Sequence, residues 1–300
     1  MGTAPLSRAG LRAAGWDGKE VRRLQAAGEL TRVRRGYYLL GRDARLRDPL
    51  GRHRAAIEAA LAGLDEGTVV SHVSAAVVHG LALGRVKVGP VQVTRATRTG
   101  GRRTTALHLH TAPLPDDDVV VRHGLPVTSV ARTVVDLARS LPFEQALVAA
   151  DGSLFAAETT VEALAAAAGR AVGWPGAPAA RRVLAEADGR SESPGETLSR
   201  LALVAAGLRP PELQWPVRTR VGLVRTDFAW PERGVVAEFD GRVKYGRLLR
   251  PGQDPGDAVF EEKVREDALR DEGLRVVRWI WRDLADFAPT AARLTRALTR

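Results

Sequence analysis

Two acidic residues in the last third of the chain have the type and spacing needed to bind a metal ion. Asp227 lies inside the apolar run 224–230, and Glu238 lies inside the next such run, 235–240. A charge inside a strand is costly unless it is paired or holds a cation. Carboxylates on neighbouring strands can hold Mg²⁺, which makes bound water more acidic and offsets negative charge on a phosphate. We therefore predict a magnesium site at Asp227 and Glu238 that could support phosphodiester hydrolysis.

Two further carboxylates belong to the predicted catalytic group. Glu196 lies in the first turn of a predicted helix, where it is placed to act through a water molecule. Asp240 shares a strand face with Glu238, because alternate residues of a strand point the same way. The alternative is that Asp240 only begins a turn and that Asp227 pairs with an arginine such as Arg225.

The elements around these carboxylates follow a definite order. Apolar runs separated by turn residues predict three strands after the helix that carries Glu196, then a second helix, a fourth strand and a last helix. The strands are predicted at 213–217, 224–230, 235–240 and 274–281, and the two later helices at 259–272 and 290–300. Arg265 and Arg270 lie on the first of those two helices, where they could face a bound phosphate.

The same region resembles a family of nucleases. Its α-β-β-β-α-β order is the core of the PD-(D/E)xK superfamily, and the segments that resemble relatives of the very-short-patch-repair endonucleases are Thr226-Asp227-Phe228, Glu238-Phe239-Asp240-Gly241 and 265–279. The resemblance implies a Mg²⁺-dependent DNA endonuclease. The chain departs from the pattern at Asp240, where most members carry a lysine, and at Lys244 and Tyr245, where relatives often place a histidine. A nuclease fold kept only for binding is the alternative.

The positive charge of the chain is concentrated near its N-terminus. The net charge is +10; the first sixty residues carry a surplus of seven cations, residues 61–190 a surplus of one and residues 191–300 a surplus of two. A local surplus of this kind is typical of a surface that binds phosphates. A general preference for arginine over lysine does not explain it, because that preference leaves the balance of cations over anions unchanged.

The first forty residues have the pattern of a winged helix-turn-helix. Ser7 and Asp17 are N-cap residues for two short helices, and the β-prone runs 30–33 and 37–40 predict a hairpin with a cationic tip. A helix fits the major groove of duplex DNA, and a basic hairpin can grip phosphates. We expect base contacts from Lys19, Arg22, Arg23 and Gln25, and phosphate contacts from Arg32, Arg34 and Arg35. Winged helices also serve as protein-interaction modules, which is the alternative.

The N-terminal half also resembles a known family. Residues 7–15 and 28–38 resemble the N-terminal domain of AbiEi-type antitoxins, and 71–76, 124–129 and 131–139 resemble the central region of the same proteins. The resemblance implies a transcriptional autoregulator of a toxin–antitoxin operon, with a cognate toxin as its protein partner. The first helix usual in such domains has almost no sequence here, and we expect the amphipathic stretch 50–64 to complete that core.

A second basic stretch lies in the middle of the chain. Residues 85–115 hold six cations and no acid, and we expect a further phosphate-binding patch from Arg95, Arg98, Arg102 and Arg103. The histidines of this region lack a carboxylate–histidine motif, although a His-x-His pair on a strand shares one face. We therefore expect hydrogen-bonded side chains, not a metal site, at His72, His79, His108 and His110. No nucleophile elbow is present either, so we expect no catalysis from this segment.

The whole chain is predicted to be an α+β or mixed protein of three domains. These are a winged helix-turn-helix at 1–48, a central α/β domain with an alanine-rich helical linker at 49–188, and a restriction-endonuclease-like domain at 189–300. The chain has no cysteine, which excludes disulfides and thiolate zinc sites. It has no apolar run of membrane-spanning length and no secretory signal, so we expect a cytoplasmic protein with no membrane partner.

Three functions remain open at this stage. The first is an endonuclease that its winged helix directs to double-stranded DNA, in a phage-defence role. The second is an antitoxin-like autorepressor with an inactive nuclease fold. The third is an antitoxin that neutralises a partner toxin, with DNA binding secondary.

Overall fold

Helices and strands alternate along the chain, which is a mixed α/β protein. The computed structural model describes residues 4–84, 86–97, 100–241 and 255–299, and those ranges contain eleven α-helices and three β-sheets. Contacts divide the chain into two units: residues up to 149 with 157–186, and residues 150–156 with those from 187 onward. No helix in the described ranges is both long and apolar enough to cross a membrane. The three-domain division stays a prediction.

The first forty residues form two short helices and a small antiparallel sheet. The elements are β1 (Leu6–Ser7), α1 (Arg8–Ala13), α2 (Gly18–Ala26), β2 (Leu30–Arg34) and β3 (Tyr37–Leu40), with sheet order β1-β3-β2. Both predicted N-caps are present: the Gly10 amide donates to Ser7 Oγ over 2.9 Å, and the Lys19 and Glu20 amides donate to Asp17 Oδ1. A separate apolar core holds the elements together through Leu11, Val21, Leu24, Leu30 and Tyr38.

The rest of the first unit is built on a six-stranded mixed sheet in the order β6-β7-β5-β4-β9-β8. Its strands are β4 (Thr68–Val70), β5 (Val91–Arg95), β6 (Arg102–Arg103), β7 (Leu107–Thr111), β8 (Val119–Arg122) and β9 (Leu125–Thr128). Its helices are α3 (Pro49–Leu61), α4 (His72–His79), α5 (Val130–Ser140), α6 (Phe143–Phe155), α7 (Val161–Arg170) and α8 (Ala177–Glu186).

Helix α3 packs on two parts of the first unit. Its Ile57 and Ala60 pack with Val70 and Val93 in the core of the six-stranded sheet. The same helix also contacts β2, where the Ala59 carbonyl accepts a hydrogen bond from Arg34. The predicted helix is present, and its role in completing the core of the first forty residues stays a prediction.

A buried ion network fixes helix α5. Arg132 is 1% exposed, and its guanidinium donates to Asp118 over 2.7 Å and to Asp136 over 3.0 Å. It also donates to the Pro113 carbonyl over 3.1 Å and lies 4.5 Å from the ring centroid of Trp174. Both carboxylates are fully buried, and Arg132 is the cation they share; Arg170 adds a second ion pair to Asp118, and Arg139 adds one to Asp136.

The second unit has its elements in the predicted order α-β-β-β-α-β, followed by a last helix. They are α9 (Pro194–Ala205), β10 (Glu212–Thr219), β11 (Gly222–Trp230), β12 (Val235–Asp240), α10 (Pro255–Asp271), β13 (Arg275–Ile280) and α11 (Ala288–Thr299). The sheet order is β10-β11-β12-β13; its first three strands are antiparallel, and β12 and β13 are parallel. The element order agrees with the expectation, whereas membership of the nuclease superfamily remains a proposal.

Residues 150–156, at the end of α6, belong to the second unit, and they include a buried carboxylate that accepts hydrogen bonds within it. Asp151 accepts hydrogen bonds from the Asp188 amide, Thr197 Oγ1 and Arg200, at 2.8, 2.9 and 2.8 Å. The close approach of α9 to β12 has a similar local cause: a Cβ at Gly195 would lie 1.9 Å from the Phe239 ring. These contacts set α9 directly over the strand that carries Glu238.

Candidate nucleic-acid interface and carboxylate pocket

Helix α2 presents a cationic face opposite its buried face. Val21 and Leu24 are buried, while Lys19, Arg22 and Arg23 are exposed. Arg23 is partly committed, because it forms an ion pair with Glu20 at 2.7 Å. In the described part of the chain, the side chains of Lys19 and Arg22 take no hydrogen bond or ion pair. Gln25, the fourth residue predicted to approach bases, is half-buried. Lys19 and Arg22 are therefore the most accessible of the four.

The hairpin between β2 and β3 adds a second cationic surface. Arg32 and Arg35 are exposed, whereas Arg34 is half-buried and points its guanidinium toward the Ala59 carbonyl at 3.5 Å. The tip needs a glycine, since Gly36 has φ +81°, and its carbonyl accepts a 2.7 Å hydrogen bond from the Arg8 amide. The tip is therefore anchored to the start of α1. Two of the three arginines predicted to contact phosphates, Arg32 and Arg35, are exposed to solvent.

The second predicted basic patch is only partly assembled. Arg102 and Arg103 are exposed on β6, at the edge of the six-stranded sheet. Arg95 lies on the far side of β7, where it donates to Thr68 Oγ1 and forms a 2.8 Å ion pair with Asp65. Arg98 lies outside the described residues. Arg95 is thus engaged within the chain, and the outward cations of this patch are Arg102 and Arg103.

In the second unit, the four strands contribute one row of polar side chains. The pairing of β11 with β12 ends at Phe228 and Ala237, and the next residues of the two strands are Asp227 and Glu238. Glu238 in turn pairs with Arg278 on β13. A pocket of about 420 Å³ opens over this row and is also lined by Gln214, Asp240 and Arg265.

Asp227 lies where β11 and β12 separate. Its Oδ2 accepts a 2.8 Å hydrogen bond from the amide of Phe239, a residue beyond the end of the β11–β12 pairing that pairs with Trp279 on β13. Burial raises the pKa of Asp227 to about 7, and the nearby charges of Glu196 and Glu238 add to that rise against the Phe239 hydrogen bond and Arg265. The predicted alternative, an ion pair with Arg225, is not formed; Arg225 pairs with Glu192.

Glu238 is held between two arginines. One carboxylate oxygen lies 2.8 Å from Arg265 on α10, and the other lies 2.6 Å from Arg278. Burial raises the pKa of Glu238, and the two guanidinium groups oppose that rise. The charge of Glu238 is therefore already offset within the protein.

The other two predicted carboxylates play different parts. Glu196 accepts from Ser193 Oγ, the Glu192 amide and Gln214 Nε2, and its own amide donates to Ser193 Oγ, so its side chain helps to cap the start of α9. Burial raises the pKa of Glu196 despite these bonds. Asp240 is half-buried at the end of β12 and lines the same pocket as Glu238, as the shared strand face predicted.

The two arginines of α10 that were predicted to face a phosphate lie at different places in the structure. Arg265 lines the pocket, whereas Arg270 pairs with Glu266 at 2.6 Å and lines a different cavity beside β13. The two residues are five positions apart, which a helix turns well away from one face. Sequence reasoning missed Arg278, although a charge inside an apolar strand is the signal that identified Glu238.

The predicted magnesium site fits this arrangement poorly. Among the described residues, no group of three or more histidine or carboxylate side chains is arranged to hold a metal ion. Asp227 and Glu238 would be the ligands, yet a cation would have to displace Arg265 or Arg278 from Glu238. The side chains at this site are therefore arranged as ion pairs and not as ligands of Mg²⁺, and the metal site stays a prediction.

Replacing Asp227 with asparagine is expected to raise the free energy of unfolding at pH 8 by about 2 kcal/mol. The folded protein binds the Asp227 proton more tightly than the unfolded chain, since the pKa rises from 3.8 to about 7. Stability is therefore lost as the pH rises between those two values. Asparagine still accepts from the Phe239 amide but carries no charge.

Urea unfolding at pH 4 and pH 8 checks this expectation. The advantage of Asp227→Asn should disappear at pH 4, where Asp227 is protonated in the folded state. The control is Asp267→Asn, an exposed position on α10 that should change stability by less than about 0.5 kcal/mol at either pH. A gain of equal size at both pH values would contradict the assigned pKa.

Comparison with known proteins gives one family match and a few relatives. Residues 5–41 match the family described as "Transcriptional regulator, AbiEi antitoxin". Two proteins from two strains of Mycobacterium tuberculosis, Uncharacterized protein Rv2248 and Uncharacterized protein MT2308, are each 32% identical over 179 residues, which is 59% of this chain. The matched stretch covers 63% of each relative, less than two thirds of its length.

One solved structure also shows some likeness. The Rv2827c protein from Mycobacterium tuberculosis is 16% identical, with a TM-score of 0.42, over 72% of this chain and 83% of that one. At that score the two folds are not established as the same.

Proposed function

We propose that this protein is a DNA-binding transcriptional regulator that contacts duplex DNA through helix α2 and the β2–β3 hairpin. The observation that carries the proposal is the pair of exposed cations on α2, Lys19 and Arg22, together with a hairpin that exposes Arg32 and Arg35. A helix of this kind fits the major groove and can read base edges, while hairpin cations contact phosphates. The AbiEi match over residues 5–41 supports the same role.

The antitoxin part of that family description extends the proposal to a protein partner. A regulator of this class would repress its own operon and bind the toxin encoded beside it. A DNA-binding role also places the protein in the compartment that holds the chromosome, which is the cytoplasm in a bacterium. The cation surplus of the first sixty residues supports the DNA role; the toxin role rests on the family match.

A reporter experiment tests the regulatory role. The full chain is expressed beside a reporter gene driven by the DNA that lies upstream of its own coding region. We expect repression by the natural chain, relief of repression by Arg22→Gln, and full repression by Arg181→Gln. Arg181 is a matched control because it is an exposed arginine on α8, away from α2 and the hairpin. Equal repression by both variants would contradict the proposal.

A second candidate function, metal-dependent DNA cleavage, is favoured by one observation. Asp227, Glu238 and Asp240 line a single pocket, and burial, with a smaller contribution from the charges of Glu196 and Glu238, raises the pKa of Asp227 to about 7. A bound cation would favour the charged form of Asp227 and lower that pKa.

Incubation of supercoiled and linear DNA with Mg²⁺ or Mn²⁺ tests this candidate. Glu238→Gln is the comparison, because it removes the charge that both pocket arginines offset. Cleavage that needs the metal and is lost in Glu238→Gln would support a nuclease. No cleavage, or equal cleavage by the variant, would leave the pocket as an ion-paired cluster in a binding domain.

A further inference from the structure

The first unit contains a polar pocket that the DNA-binding role does not use. It has a volume of about 570 Å³ and lies between strands β6 and β7, the start of α4 and one face of α5. Small-molecule sites commonly have volumes of about 300–1,000 Å³. The pocket is therefore large enough for a compact metabolite.

Three histidines form a stack along one wall. The ring centroids of His72 and His110 are 3.8 Å apart, and those of His108 and His110 are 3.7 Å apart. His72 is held in the left-handed region, with φ +53°, a strained conformation for a residue other than glycine. Burial lowers the pKa of His72 and of His110 to about 3, so both rings are neutral at physiological pH. Stacked rings do not converge on one point, which argues against a shared metal.

Several buried polar atoms of this pocket lack hydrogen-bond partners within the described structure. They are Nε2 of His110, Nε of Arg139 and Oδ1 of Asp136. Asp136 is fully buried, and its side chain lines the pocket. Buried donors and acceptors in native proteins are nearly always satisfied, and an unsatisfied one costs about 1–3 kcal/mol. A ligand that offers both an acceptor and a donor would satisfy these atoms.

The charge of the pocket favours an anion. Arg102 and Arg103 are exposed at its mouth, and Arg139 lies deeper, 5.0 Å from the ring centroid of Trp174. The carboxylate of Asp136 faces the same space, but it is paired with Arg132 at 3.0 Å and with Arg139 at 3.8 Å. The pocket is therefore lined by three arginines in addition to Arg132, and by one carboxylate, that of Asp136.

We propose that this pocket binds a small phosphorylated molecule that also carries hydroxyl groups, such as a sugar phosphate. Its phosphate would accept hydrogen bonds from Arg139 and from Arg103, which shares a sheet face with His108, and a hydroxyl would donate to Oδ1 of Asp136. Arginine suits a phosphate because its planar fork presents paired donors. Binding stands independently of the DNA-binding role; a function as an effector of repression would rest on that role.

Nuclear magnetic resonance of the histidine rings in the full chain tests the proposal. Ribose 5-phosphate, inorganic phosphate and ribose are titrated separately into protein labelled with ¹⁵N-histidine. We expect saturable shifts of the His108 and His110 ring signals with ribose 5-phosphate, at least about tenfold weaker binding of inorganic phosphate, and no response to ribose. The rings of His53 and His123, which do not line the pocket, are the internal reference.

Substitution at the mouth of the pocket separates binding from folding. Arg102→Gln/Arg103→Gln changes only exposed positions on an edge strand and should weaken ribose 5-phosphate by about tenfold or more. Arg181→Gln, an exposed position on α8 that does not line the pocket, should bind as the natural chain does. Unchanged affinity in the double variant would overturn the proposal.

A further titration with a short DNA duplex distinguishes a small phosphorylated ligand from the phosphates of DNA. If only the duplex moves the His108 and His110 signals, the cations belong to the DNA surface and the small-ligand proposal is overturned. If none of the probes moves them, it is overturned as well. Shifts with ribose 5-phosphate that persist in Arg22→Gln would support a site separate from the DNA-binding helix.

Discussion

Replacing Arg132 with methionine is expected to lower the free energy of unfolding of the first unit by about 3–5 kcal/mol. The substitution keeps most of the side-chain volume but leaves Asp118 and Asp136 buried without their shared guanidinium. The loss should be measured by urea unfolding, with hydrogen exchange of the α5 amides as a local probe, because a chain of two units need not unfold in one step.

Arg170→Met is the matched control for this substitution. Arg170 pairs with the same buried Asp118, but its own side chain is 34% exposed, so water screens its charge and its loss leaves Asp118 paired with Arg132; such a contribution is about 1 kcal/mol or less. We expect it to cost less than that. Equal losses in the two variants would show that burial does not decide the strength of this network.

Replacing both Lys19 and Arg22 with glutamine is expected to reduce the affinity for a preferred DNA site by about 100-fold. The reason is that each lost contact to a base is worth about 1–3 kcal/mol. Affinity for unrelated duplexes should fall much less, so that the ratio of specific to nonspecific binding collapses. Fluorescence anisotropy with a site selected from a random library measures both affinities.

The matched control for that variant is Arg12→Gln. Arg12 is an exposed arginine in the last turn of α1. The substitution removes a charge from the same small domain but not from α2. A double variant that kept the full preference for its selected site would assign base recognition to another surface.

The small N-terminal domain was largely predictable because its signals are local. The caps at Ser7 and Asp17 and the left-handed glycine at the hairpin tip each act within a few residues. Strand β1 was missed because two residues show no periodicity, and its pairing with β3 depends on a contact some thirty positions away. The inward turn of Arg34 also depends on α3, which no local pattern reveals.

The carboxylate pocket was only partly predictable from local sequence signals. Asp227 and Glu238 were identified because a charge inside an apolar run is unusual, and the structure brings them to one pocket. Their partners are decided by tertiary structure, since Arg265 and Arg278 come from elements later in the chain. The sequence therefore indicates where the charges lie but not that arginines, rather than a metal ion, offset Glu238.

The histidine pocket also combines a local signal with a contact that only the tertiary structure makes. The spacing of His108 and His110 predicts that they share a strand face, as they do. The stack with His72 requires the start of α4 to lie against β7, a contact between segments that are distant along the chain. A prediction made residue by residue treats these histidines as isolated.

The salt dependence of duplex binding tests the central claim most directly. The logarithm of the binding constant should fall linearly with the logarithm of salt concentration, and Arg32→Gln/Arg35→Gln should make that slope shallower by about 2, since each phosphate contact contributes about 0.9. The loss of affinity should be the same for every duplex sequence, because phosphate contacts carry no base information. A slope equal to that of the natural chain would contradict DNA binding through this hairpin.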